Sequence, residues 1–200
     1  MSDGLPTGGP DLGVNVRARL LLAAAALVSL SGCGAERDAQ PPVDGSGANA
    51  PEIIVPAASA GGACRWLDFD VIEQATGTRF TIAAAQEQRR TSTCVVRTAD
   101  ATHPDLAFSV TRAGLDVETF QADIVPAGAG AVKGLGQAGY KLVRDGDRRQ
   151  GATSEVGWLD AKGQLRTLRY TLPVEATAQV AKQHTAGLIT LAQQVETATG

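Results

Sequence analysis

Histidine is scarce in this chain. There are two in 200 residues, with one methionine and eight aromatic side chains. Histidine is the usual general base near neutral pH, so its scarcity narrows the chemistry at once. His103 sits in the polar turn Thr102-His103-Pro104-Asp105, and His184 falls in a helical stretch, off its apolar stripe. Both read as surface residues without a catalytic setting. There is no C-x-x-C pair, and two histidines leave a zinc site without ligand spacing, so no metal and no cofactor is expected. No G-x-S-x-G elbow is present. The carboxylate pairs Asp68/Asp70 and Asp145/Asp147 read as a helix cap and a hairpin tip. Neither offers the buried acid beside an ionised partner that glycoside hydrolysis needs. Asp145-Gly146-Asp147 also lacks the remaining ligands of a calcium loop. No catalytic residue is assigned, and the chain is expected not to be an enzyme.

Excess positive charge is lacking too. The net charge is −3, and with few aromatics this argues against a nucleic-acid partner. Arg89-Arg90 and Arg148-Arg149 stand as isolated pairs beside turn residues and read as solvated loop tips. A long apolar run is also missing. Leu20–Leu30 is apolar or small for only 11 residues, whereas a membrane span needs about 20.

What stands there instead is a secretory signal pattern. Arg17 and Arg19 precede the apolar run, and Leu30-Ser31-Gly32-Cys33 closes it with small residues and a cysteine. That closing stretch resembles the bacterial lipobox. The resemblance implies cleavage before Cys33 and lipidation of that cysteine, placing the chain on the extracytoplasmic face of the cell membrane. One acyl chain holds a protein only marginally, and two or three make release negligible. Residues 1–32 carry Asp3, Asp11, Arg17 and Arg19, so the mature chain keeps the whole −3.

With Cys33 given to lipid, Cys64 and Cys94 remain. Export permits a disulfide between them; two buried thiols or a metal pair are the alternatives. Residues 34–62 are rich in Gly, Ala, Pro, Ser and Asp, and read with Cys33 as a lipidated, flexible tether over 33–62. Such a coil spans on the order of 30 Å. Residues 63–200 are expected to form one globular domain.

Within that domain, Asp70-Val71-Ile72-Glu73 fits a capping box for a short helix that Gly77 stops. Strands are expected over 79–84, 93–98 and 106–111, with Phe80 and Ile82 sharing a face and a loop over 87–92. Asp116 caps a second helix carrying Val117, Phe120 and Ile124. A glycine-rich loop spans 125–139. Tyr140 and Leu142 lead into the turn Asp145-Gly146. Ala152, Ser154, Val156 and Trp158 line the returning strand, and Leu168, Tyr170 and Leu172 the next. Residues 174–196 are expected to be helical, with Val174, Ala178, Ala181, Leu188, Ala192 and Val195 on one stripe and Gly187 as a weak point. The expected fold is α+β: a mainly antiparallel sheet of about six strands, with helices packed on one face, including a C-terminal helix.

Gly134-Leu135-Gly136-Gln137-Ala138-Gly139 spells G-x-G-x-x-G. A dinucleotide site needs that loop between a strand and a helix, but here an alternating strand follows, so a turn with positive-φ glycines is expected. Trp66, Phe80, Phe108, Phe120, Tyr140, Trp158 and Tyr170 are spread over separate elements. They are expected to fill one core, with a pocket for a lipid-like ligand as the alternative.

On Leu30–Cys33, Ala63-Cys64, Thr93-Cys94, Lys133-Gly134-Leu135-Gly136 and the strand ending in Trp158, the chain resembles small exported lipoproteins of high-GC Gram-positive bacteria with a two-cysteine domain. The expectation is a membrane-anchored envelope lipoprotein that binds a partner protein or an apolar, lipid-like ligand. An envelope-modifying enzyme, or a surface protein without a specific ligand, is the alternative.

Overall fold

A computed structural model describes residues 54–199. Cys33 and the signal pattern lie outside the described residues. The folded part reaches back into the expected tether, since Ala57 is buried within a short 3-10 turn at Ala57–Ala60. A second such turn, Gly62–Trp66, brings Cys64 to the core.

Helix α1, Phe69–Thr76, follows. Its cap is Asp68, not Asp70. The Asp68 Oδ1 atom accepts hydrogen bonds from the Asp70 and Val71 backbone N–H groups at 2.9 and 3.2 Å. This satisfies two of the first-turn donors that have no intrahelical partner. Gly77 closes the helix at φ +72°, a left-handed conformation that favours glycine.

Seven strands follow: β1 Ile82–Gln88, β2 Thr91–Arg97, β3 Asp105–Thr111, β4 Gly130–Val132, β5 Ala138–Arg144, β6 Thr153–Leu159 and β7 Leu165–Thr171. They form one sheet in the order β1-β2-β3-β7-β6-β5-β4, with every pairing antiparallel. Two meanders therefore meet at the β3–β7 seam. The strand beyond the expected six is β4, three residues of the glycine-rich stretch that pair with Gly139–Lys141.

The first strand is displaced from its expected place. The loop expected over 87–92 is a tight hairpin turn, with Arg89 at φ +55°. Glu87 and Gln88 pair with Ser92 and Thr91. Phe80 lies before the ladder, fully buried against Tyr170, while Ile82 within it is 37% exposed. Their shared face does not form, because Phe80 answers to the core and not to strand alternation.

Helix α3, Ala178–Thr199, packs on β5, β6 and β7, and α1 packs on α3. Val174 lies outside the helix, exposed in a turn that the Ala176 N–H closes onto the Pro173 carbonyl. Gly187 is the crossing point with α1. A Cβ there would collide with the Ala75 carbonyl oxygen. The expected weak point is thus a point of closest approach.

The sheet has two cores. On the α1/α3 face, Phe108 stacks on Trp158 at 6.1 Å, and Leu106, Leu168, Val156 and Tyr170 are buried around them. The Cys64–Cys94 disulfide lies here, Cα atoms 4.8 Å apart, joining the turn before α1 to β2. On the opposite face, the crossover from β3 to β4 carries one helical turn, α2 Val117–Thr119, and a π-type turn, Phe120–Ile124. Phe120, Tyr140 and Leu159 form a smaller core beneath it. Gly157 makes room for it, because a Cβ there would overlap the Tyr140 ring. Among the described residues, no helix is long and apolar enough to cross a membrane.

Candidate functional site

A cleft opens at the β4 end of the sheet, beneath α3. Because β4 pairs only with residues 139–141, the outer edge of β5 has no strand beside Leu142–Arg144 among the described residues. The cleft holds about 470 Å³. Val143, Ile189 and Ala186 form its apolar walls, Thr185 borders it, and Gly128 and Gly130 form its rim.

Its helical wall follows from spacing. Lys182, Thr185, Ala186 and Ile189 stand at i, i+3, i+4 and i+7, so they share one side of α3. That stripe flanks the one that enters the core, and Thr185 belongs to both. It is 8% exposed, and its hydroxyl lies 3.0 Å from the Ser154 hydroxyl. That pairing satisfies both groups within the protein. Lys141 and Lys182 flank the opening, and no acidic residue lines it. An apolar trough with two ammonium groups at its mouth suits a ligand with a hydrocarbon body and an anionic end. Sequence reading missed this site because no motif marks it. The signal was the second α3 stripe, unremarkable until β5 is known to lie opposite.

The other candidates disperse. His184 is half-buried rather than on the surface, because its ring meets the Tyr170 ring edge-on at 4.9 Å. Burial lowers its pKa from the ordinary 6.5, opposed by a hydrogen bond with the Thr76 backbone. His103 faces Asp105 at 3.6 Å in the β2–β3 turn. Among the described residues, neither histidine hydrogen-bonds a serine, threonine or cysteine side chain.

The G-x-G-x-x-G stretch is a turn. Gly134 and Gly136 have φ +72° and +55°, Leu135 is buried between them, and β5 follows instead of a helix. Gln137 holds the turn to the β6–β7 connection through the Leu159 and Asp160 carbonyls.

The acids behave likewise. Asp68 caps α1, and Asp147 Oδ1 accepts from the Arg149 and Gln150 N–H groups. A carboxylate pair that sequence reading missed, Asp160 and Glu196, brackets the buried Arg166. The arginine engages both acids, so they act as its counter-ions. Trp158 and Tyr170 are buried core residues, whereas Trp66 is only partly covered.

Comparison with protein families, with curated proteins and with solved structures finds no match.

Proposed function

We propose that this chain is a non-enzymatic, lipid-anchored binding module on the extracytoplasmic face of the cell membrane, of the small actinobacterial lipoprotein type. In this reading Cys33 carries the acyl chains, the residues after it form a tether, and the domain holds an apolar ligand with an anionic end. The observation that carries the ligand is the cleft between β5 and α3. Its volume of about 470 Å³ lies within the ordinary range for small-molecule sites, roughly 300–1,000 Å³. Its walls are apolar, and Lys141 and Lys182 flank its mouth. The lysines' long stems extend the apolar surface while their heads reach water.

Native mass spectrometry of the full chain extracted from membranes tests this directly. A retained anionic lipid is expected, diminished in Ile189→Asp and in the Lys141→Gln/Lys182→Gln double variant. Wild-type protein that retains no non-covalently bound lipid, and that binds neither a long-chain fatty acid nor phosphatidylglycerol, overturns the ligand reading.

A further inference from the structure

A second, polar pocket lies on the α1/α3 side of the sheet, near the tip of the β1–β2 hairpin. It holds about 250 Å³, and Arg65, Arg90, Arg112, Trp66 and Ser92 are among its lining. We propose that it binds a phosphate-bearing ligand, independently of the apolar cleft.

The placement of the arginines carries the inference. Arg90 and Arg112 stand directly opposite each other, one position beyond the paired ends of β2 and β3, and the Arg112 N–H donates to the Arg90 carbonyl. Arg90 lies two residues before Ser92 and Arg112 two residues after Val110, so all four share one face of the sheet. Like charges at such a position oppose folding unless an anion lies between them. A third guanidinium comes from the turn before α1. The Arg65 guanidinium carbon lies 4.1 Å from the centre of the Trp66 ring. Stacking occupies the flat face of a guanidinium and leaves its N–H edge free to donate. Among the described residues, none of the three arginines has a carboxylate within 4.0 Å. Glu87 is the one acid lining the pocket, against three guanidiniums.

The floor points the same way. The Ser92 hydroxyl oxygen is enclosed and has no hydrogen-bonding partner among the described residues. An enclosed hydroxyl without a partner is costly, and a phosphate oxygen above it would accept a hydrogen bond from it. Guanidiniums match phosphate oxygens two at a time, and the volume accommodates a phosphate with a small polar substituent. Gly62 forms part of the wall, where a Cβ would crowd both Ser92 and Glu87.

Trp66 supplies the readout, since it borders the pocket while Trp158 is fully buried. The full chain in detergent is titrated with inorganic phosphate and with glycerol 3-phosphate, using chloride at matched ionic strength as control. A saturable change in tryptophan emission is expected with both phosphates and not with chloride. It should weaken by about tenfold or more in Arg90→Gln/Arg112→Gln, strengthen in Glu87→Gln, and vanish in Trp66→Phe. Thermal melts should show that the variants remain folded. Phosphatidylcholine vesicles with and without phosphatidylglycerol separate the two sources of phosphate. Emission changes with the soluble phosphates identify a free ligand, and changes only with the anionic vesicles identify a lipid headgroup. No saturable change with either source, or a change that survives loss of Arg90 and Arg112, overturns the proposal.

Discussion

The Arg166 guanidinium lies 2.7 Å from the Asp160 carboxylate, and both side chains are 3% exposed. Around this pair the end of α3 is fastened to the sheet. Glu196 approaches Arg166 at 3.5 Å and accepts the Trp158 indole N–H at 2.8 Å, while Thr199 accepts from the other arm of the guanidinium. Asp160 also receives the Lys162 and Gln164 backbone N–H groups, which shapes the β6–β7 turn. Removing one partner of a buried pair leaves the other charge unpaired, at a cost of about 3–5 kcal/mol. Asp160→Asn is therefore expected to lower the denaturant midpoint markedly. Arg166→Met with Asp160→Asn should recover part of the loss. Equal stability of wild type and Asp160→Asn in urea unfolding would contradict the role given to this pair.

Gly187→Ala separates helix propensity from packing. In an exposed helix, alanine for glycine gains about 1 kcal/mol. Here the added methyl meets the Ala75 carbonyl, so α1 must shift. A net destabilisation of about 1–3 kcal/mol is expected, read from chemical unfolding. A higher melting temperature in Gly187→Ala would show that α1 and α3 do not cross so closely.

His184 makes stability depend on pH. Its pKa is lowered in the folded protein by burial, so the unfolded chain binds the proton more readily. Its contribution is complete above the ordinary 6.5 and is lost as pH falls through that value toward the folded pKa. Melting temperatures followed from pH 8 to pH 5, on the scale of histidine titration, should fall less steeply in His184→Gln than in wild type. The same packing against Tyr170 makes His184→Ala destabilising, which corrects the expectation of a free surface residue. Identical slopes for the two proteins would refute this.

Cys33→Ala tests the anchor. The variant is expected to leave the membrane fraction for the medium, or to accumulate unprocessed. Correctly processed Cys33→Ala protein that stays membrane-bound would count against lipidation at that position.

Reduction tests the cross-link. The Cys64–Cys94 bridge spans a separation of 30 residues, and closing such a loop contributes roughly 3–4 kcal/mol in the chain-entropy model. Cys64→Ala/Cys94→Ala should unfold at correspondingly lower denaturant. Non-reducing peptide maps of wild type should contain the linked peptides, and two alkylatable thiols would exclude the bridge.

Local patterns were legible in the sequence, because short-range sterics and burial period determine them. The faces of β6 and β7, with Trp158 and Tyr170 inward, follow from alternation, since consecutive side chains point to opposite sides. The Gly77 stop, the Asp116 cap and the glycine turn before β5 follow from positive-φ geometry and short polar side chains. The export-type cysteine count led to the Cys64–Cys94 pair. Tertiary structure alone decided the rest. Nothing in a three-residue Gly-Ala-Val segment marks it as β4 until β5 offers its edge. Phe80 abandons strand alternation because Tyr170, far along the chain, completes its contact. The β3–β7 seam brings the two meanders together, and α3 then roofs a cleft whose walls are 46 residues apart in sequence, from Val143 to Ile189. Arg65, Arg90 and Arg112 look solvated one by one, and only the disulfide-held turn and the β2–β3 ladder set them around one pocket. The physical reason is common to all of these. Periodicity reports which side of an element is buried, whereas a site depends on which distant element is placed opposite it.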